Sequence, residues 1–193
     1  MVVNKFSVVI SGWPAVGKTT IAAKLAEEFG LVMYNGGDIL KMLAAEKDYS
    51  TASEDWWDTA EAKKFMRERK SDPSFDKKVD KKLSELVKKE GAVITSYTLP
   101  WLVKEESVIK LWLRGSTENR ARRMANRDSI SFAEAKKIIT LRDDENKKIY
   151  RRLYGFSFGE DLTVFDYMLN TDRLPLDPLI EISKLIVRRQ IGG

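Results

Sequence analysis

The 193-residue chain contains no cysteine and no histidine. The first absence excludes disulfides, thiol nucleophiles and thiolate metal sites. The second removes every imidazole acid, base or ligand, and zinc sites of the ordinary kind go with it. Long hydrophobic runs are also missing: no stretch approaches 18 uninterrupted apolar residues, so no membrane span is expected. The first residues, MVVNKFSVV, lead straight into an apolar run and lack the layout of a secretory signal, and a chain without cysteine or histidine is expected to be cytoplasmic. Chemistry is left to Asp, Glu, Lys, Arg, Ser, Thr, Tyr, backbone amides and a bound ion.

Charge of one sign is in modest excess, with 34 basic against 29 acidic residues and a net charge of +5. An acidic small molecule fits this balance. The basic residues interleave with acids, as in KKVDKKLSELVKKE (77–90), so they predict a solvated helix face rather than a nucleic-acid stripe. With 43% apolar residues the chain can bury a full core.

Five apolar runs bounded by turn signals predict strands at 6–11, 31–34, 92–96, 108–113 and 166–170. Several are continuously hydrophobic, as in strands covered on both faces. Helical patterns lie between them: Ile21, Leu25 and Phe29 share one face of 18–29, and Val79, Leu83, Leu86 and Val87 recur in 75–89. This alternation predicts an α/β fold with a parallel sheet flanked by helices, in one domain. Its core is expected at 1–35, 91–117 and 162–193. Two charged, helical excursions at about 36–90 and about 118–161 interrupt it, and are either flaps over a ligand or ordinary surface helices.

The sequence SGWPAVGKTT (11–20) follows the first strand and opens a helix. Gly12, Gly17, Lys18 and Thr19 satisfy G-x-x-x-x-G-K-[ST], a loop that aims backbone N–H groups at phosphate. Pro14 has no N–H, so the donors are expected from Ala15, Val16, Gly17, Lys18, Thr19 and Thr20. Lys18 adds a point charge on the outer phosphates, and the Thr19 hydroxyl suits Mg²⁺. One strand later comes NGGDILK (35–41). Gly36 and Gly37 allow close approach, and Asp38 either caps the following helix or, with Lys41 on the same face, meets the acceptor. In STENRARRMANRD (116–128), Arg120, Arg123 and Arg127 stand at i, i+3 and i+7 and form one basic stripe. Such a stripe can neutralise charge developing on a transferring phosphoryl group or clamp a nucleotide base by stacking; the other reading is a solvated helix face with Glu118 as partner. The Asn-Lys-x-Asp of switch GTPases is absent, and no apolar strand ends in the Asp-Glu pair of ATP-hydrolysing motors.

Taken together, GWPAVGKTT, NGGDILK, RRMANR and LNTDR resemble the nucleoside monophosphate kinase family of P-loop kinases, and more narrowly the archaeal-type cytidylate kinases. FDKKVDKKL, YRRLYGF and VFDYMLNTDRL extend the resemblance over essentially the whole chain. It implies a P-loop NTPase fold of five parallel strands, an acceptor-binding insert at about 36–90 and an Arg-rich lid. It further implies ATP with Mg²⁺ as donor and a nucleoside monophosphate, CMP or dCMP, as small-molecule acceptor. Carried over residue by residue, Thr171 and Asp172 fall beside the adenine, and Arg142 matches a lid arginine that acts with Lys18, Arg123 and Arg127. Gly37, Asp38, Lys41 and Tyr97 fall on the acceptor side.

The chain departs from the family pattern at several positions. Thr95, Ser96 and Tyr97 stand where an acid, a glycine and an arginine are expected; Ile149 and Lys41 replace arginines. Two further readings stay open: a hydroxyl-bearing acceptor with Asp38 as base, or nucleotide binding with little transfer. Trp56 and Trp57 are placed as packing or acceptor-pocket residues, and Trp101 as core.

Overall fold

A computed structural model of the protein describes residues 6–51, 61, 64–65, 72, 74–89 and 91–192. The pair Trp56–Trp57 lies outside them. Five strands form one sheet: β1 (Ser7–Gly12), β2 (Val32–Asn35), β3 (Ala92–Thr95), β4 (Val108–Arg114) and β5 (Tyr167–Asn170). Their order is β2-β3-β1-β4-β5, and every pairing is parallel, as the alternation predicts. Strand limits agree with the sequence reading to within one residue; in the central β1, β3 and β4 the apolar runs are buried on both faces, whereas the edge strands β2 and β5 are only partly covered.

Even inside the fully buried β1, the two-residue period survives. Val9 faces one core with Ile94, while Val8 and Ile10 face the other with Val93. The second core is covered by α1 (Lys18–Phe29), through Ile21 and Leu25, and by α7 (Leu176–Gly192), through Leu179 and Val187. The first is covered by α2 (Gly36–Ala45), through Ile39 and Ala44, and by α3 (Ser74–Lys89), through Phe75, Val79, Leu83 and Val87. The first excursion therefore supplies one of the two layers over the sheet. Its helices are amphipathic because one face packs on β1 and β3.

After the short α4 (Leu99–Leu102) and β4, the second excursion folds as a hairpin of α5 (Thr117–Asp128) and α6 (Phe132–Tyr154). Ser116 and Ser131 cap the two helices, each accepting a hydrogen bond from a backbone N–H three residues on, and Ala121, Met124, Ala135 and Ile139 close the seam. The helix α6 ends at Gly155, which adopts the left-handed conformation.

A third, aromatic cluster joins the phosphate-loop sequence to the end of this hairpin. Phe158 packs edge-on to Trp13, Trp112 and Tyr97, and Trp101 stacks on Phe156 at 4.3 Å. Trp101, expected in the core, is only partly buried and packs against this cluster from its edge. Ile149 packs against the same cluster.

Candidate functional site

The phosphate loop runs from the end of β1 to the start of α1. Gly12 has φ +143°, and a Cβ there would lie 2.2 Å from the carbonyl oxygen of Leu113, so β4 approaches too closely for any side chain. Gly17 caps α1 with φ 91°. Between them Ala15 also takes a positive φ of 61°, a conformation stored in the loop by its surroundings. The Lys18 ammonium reaches back over the loop and donates to the carbonyls of Gly12 and Trp13, both at 2.8 Å. Burial, then the nearby charges of Arg142 and Arg120, push its pKa down to about 7.

A cavity of about 830 Å³ opens above this loop. Ala15, Val16, Gly17, Lys18, Thr19 and Thr20 form its floor, beside the N-terminus of α1, where free N–H groups and the helix dipole favour an anion. Arg123, Arg127 and Arg142 stand along it, and Thr171, Leu174, Pro175 and Leu176 provide a half-apolar wall at the other end. That shape suits a polyphosphate on the floor with a flat ring between loop and arginine.

A second cavity, of about 410 Å³, adjoins it. Lys18, Thr19 and Tyr97 line both, so the two spaces meet at the loop lysine. The remaining walls come from Asn35, Gly36, Gly37 and Leu40, from Asp76, Val79, Asp80 and Leu83 on α3, and from Thr95 to Thr98 with Tyr150. Asp80 is buried; Thr98 donates to one of its oxygens at 2.5 Å, and the Tyr154 hydroxyl donates to the other. Burial, reinforced by this carboxylate, raises the pKa of Tyr154 well above its usual range, which keeps the phenol a donor. Burial likewise raises that of Tyr97, whose ring lies 4.6 Å under the Lys18 ammonium.

Several residues singled out in the sequence lie elsewhere. Arg120 does not join the arginine wall. Only 3% exposed, it donates to both oxygens of Asp143 on α6, at 3.0 and 2.6 Å, and to the carbonyl of Gly115. The i, i+3, i+7 stripe is real, but its first member faces the α5–α6 seam because Asp143 stands there to pair it. Asp172 does not line the larger cavity. Its carboxylate accepts from the Ser116 N–H and the Asn119 amide, tying the β5–α7 loop to the start of α5. Beside it Thr171 is in the wall, bonded to Arg123 at 2.8 Å.

On the other side, Gly37 lines the second cavity, whereas Asp38 and Lys41 line neither. Asn35, not Asp38, is the N-cap of α2: its Oδ1 accepts from the N–H groups of Gly37 and Asp38, and Asp38 answers by accepting from the Asn35 N–H at 2.9 Å. This reciprocal box uses the Asp38 carboxylate at the helix start. The sequence reading missed Asp80, Thr98 and Tyr150, which line the second cavity, and Tyr154, which bonds Asp80 without lining it. A signal existed: Asp80 follows Val79 and precedes Leu83 on the apolar face of α3, and a carboxylate there must be buried with partners.

A phosphate loop, an arginine wall and an adjoining cavity on this sheet define a P-loop phosphotransferase. Residues 7–173 match the model of the cytidylate kinase-like family, and the chain belongs to that family. It is 33% identical over 182 residues to the cytidylate kinase of Sulfurisphaera tokodaii, covering 93% of this chain and 92% of that protein. It is 31% identical over 176 residues to the cytidylate kinase of Pyrobaculum aerophilum, covering 91% and 89%. Among solved structures it is similar in fold to the shikimate kinase of Bacteroides thetaiotaomicron, with TM-score 0.59, 16% identity and coverage of 97% of this chain and 99% of that one. The gluconokinase of Sinorhizobium meliloti follows, with TM-score 0.56, 14% identity and coverage of 97% and 94%.

Proposed function

We propose that this protein transfers the γ-phosphoryl group of ATP to a nucleoside monophosphate, with CMP or dCMP preferred. The observation that carries this reading is the meeting of two cavities at Lys18, Thr19 and Tyr97. A donor in the larger space and an acceptor in the smaller place their reacting ends side by side at one lysine, which is the arrangement in-line transfer requires. The bond between the γ-phosphorus and its bridging oxygen breaks, a bond to an acceptor phosphate oxygen forms, and ADP leaves. An ionised phosphate needs no strong base, in keeping with a chain that has no histidine.

In this reading Ala15 to Thr20 hold the triphosphate by backbone N–H groups, and Lys18 shares its charge between the outer phosphates. Arg142, Arg127 and Arg123 balance the charge spread over the transferring group. The Thr19 hydroxyl would hold Mg²⁺. No cluster of three His, Cys, Asp or Glu ligands occurs among the described residues, which fits an ion that keeps most of its water and takes one protein oxygen plus phosphate oxygens. Bound there, Mg²⁺ would neutralise the phosphates. In the acceptor cavity, Asp76 and Asp80 supply hydrogen-bond acceptors that suit the amino group of cytosine better than the carbonyl of uracil. Gly37 would let the acceptor approach the backbone.

A second reading takes a hydroxyl-bearing metabolite as acceptor. It is favoured by the same two carboxylates, set among the hydroxyls of Thr95, Ser96 and Thr98 with no arginine among the described lining residues. Asp80, rather than Asp38, is then the base. Both readings are separated by ADP release with ATP·Mg²⁺ and CMP, dCMP, UMP, AMP, GMP or a panel of sugars and hydroxy acids. Turnover on CMP and dCMP above the rest supports the first. Turnover confined to a hydroxyl acceptor overturns it.

A further inference from the structure

The helix α6 touches both cavities. Arg142, near its middle, lines the donor side, while Tyr150, two turns later, lines the acceptor side and stacks on Tyr97. Tyr154, one turn further, is hydrogen-bonded to Asp80. The helix runs unbroken from Phe132 to Tyr154. Arg142 and Tyr154 are therefore 12 positions apart on one rod, about 18 Å at 1.5 Å per residue. A tether at one end of such a rod fixes the other, since an intact helix bends only gently.

The tether is well anchored. Asp80 sits on α3, whose apolar face is packed on the sheet, and Thr98 holds its second oxygen from the segment after β3. Thr98 in turn donates its N–H to the Ser96 hydroxyl, and the Ser96 N–H donates to the carbonyl of Ile10 on β1. At the arginine end, Asp143, the residue after Arg142, pairs with Arg120 and so links α6 to α5, which carries Arg123 and Arg127.

We propose that Asp80 and Tyr154 are positioning residues that set Arg142 over the outermost phosphate of the donor, acting through the rigid length of α6. A wall of the acceptor cavity thereby holds the rod that carries a donor-side arginine. An acceptor that reaches Asp80 meets one of the groups that fix where Arg142 stands, beside the Arg120–Asp143 pair and the Tyr97 hydroxyl. This rests on the reading of the larger cavity as the triphosphate site, but not on the identity of the acceptor.

The test compares binding of Mg²⁺ complexes of ADP and of a non-hydrolysable ATP analogue to the full chain by titration calorimetry. Only the ATP analogue presents a γ-phosphate to Arg142, so the ratio of the two affinities reports its placement. Arg142→Ala is expected to lower that ratio by about tenfold, the order of a charge-assisted hydrogen bond. Tyr154→Phe keeps the ring and its stack on Phe156 and is expected to lower the ratio by about five- to tenfold. Asp80→Asn, the second variant, should move it in the same direction. The double variant Arg142→Ala/Tyr154→Phe should fall no further than Arg142→Ala alone. A merely structural role would lower the melting temperature, or weaken both nucleotides equally, without moving the ratio. If Tyr154→Phe leaves the ratio intact, or adds fully to Arg142→Ala, the positioning role is overturned while the phosphate site stands. If Arg142→Ala itself leaves the ratio unchanged, the assignment of the triphosphate site fails and the inference with it.

Discussion

Arg120 of α5 and Asp143 of α6 form a nearly buried, two-bonded ion pair that locks the two helices of the hairpin together. Truncating one partner leaves the other charge in a dry seam. Arg120→Ala is expected to destabilise the protein by about 3–5 kcal/mol, the usual cost of breaking a buried pair. Urea denaturation measures it; a loss below about 1 kcal/mol would show that the pair is solvated in solution.

The wall arginines should behave in the opposite way. Arg127 is largely exposed and bonded to its neighbour Asp128, so Arg127→Ala should leave the melting temperature almost unchanged. Its effect should appear in kcat, lowered by about 10²–10³-fold if it meets developing charge. Steady-state kinetics beside thermal unfolding separates the two classes. An Arg127 variant with full kcat would remove it from the transfer step.

Lys18 predicts a pH dependence. Its folded-state pKa of about 7 lies below that of an unfolded lysine, because burial and then Arg142 and Arg120 disfavour the charged form. Between pH 7 and about 10 the unfolded chain binds more protons there, so this group's contribution makes stability rise with pH across that window. A polyphosphate beside the ammonium raises its pKa again. Binding above pH 7 then takes up a proton, and affinity falls as pH rises. Calorimetry at about pH 8 in buffers of different ionisation heat should show the uptake, and Lys18→Met should abolish it. Equal heats in all buffers would contradict the assignment.

Gly159 is fixed by the ring beside it. It has φ +79°, and a Cβ there would lie 2.1 Å from Cζ2 of Trp13. Gly159→Ala is therefore expected to cost about 2–3 kcal/mol, combining backbone strain with displacement of a packed aromatic. Because Trp13 belongs to the phosphate loop, nucleotide affinity should fall as well. Tryptophan fluorescence and chemical denaturation follow both effects, and a variant as stable as the parent would contradict the packing.

On the acceptor side, Lys41→Ala should leave acceptor KM within about twofold, since Lys41 lines neither cavity. Asp38→Ala should act on stability instead, by about 1 kcal/mol, through loss of the reciprocal cap with Asn35. A large rise in acceptor KM for Lys41→Ala would show that the lysine turns inward when acceptor binds.

The difference between Arg120 and Arg127 marks where the sequence stops being sufficient. Both stand on the same helical stripe, and periodicity alone treats them alike. What separates them is Asp143, 23 residues away, which no helical spacing links to Arg120. Asp38 and Asp80 invert in the same way. The first sits in a glycine-rich motif and reads as functional, yet its carboxylate closes a cap. The second sits inside a charged helix with no motif to mark it, only its place on the apolar face, and it is buried against Thr98 and Tyr154.

The sequence by itself determined the elements that rest on local physics. Apolar runs of strand length, a phosphate loop between strand and helix, and the amphipathic faces of α1 and α3 are all written within a few residues of one another. Their alternation was enough to imply the parallel sheet. Only the tertiary structure decided which charged side chains line the two cavities and which brace the fold. A charge can enter a dry interior only where a partner waits, and here those partners arrive from other elements: Asp143 on α6 for Arg120, and Thr98 after β3 with Tyr154 on α6 for Asp80.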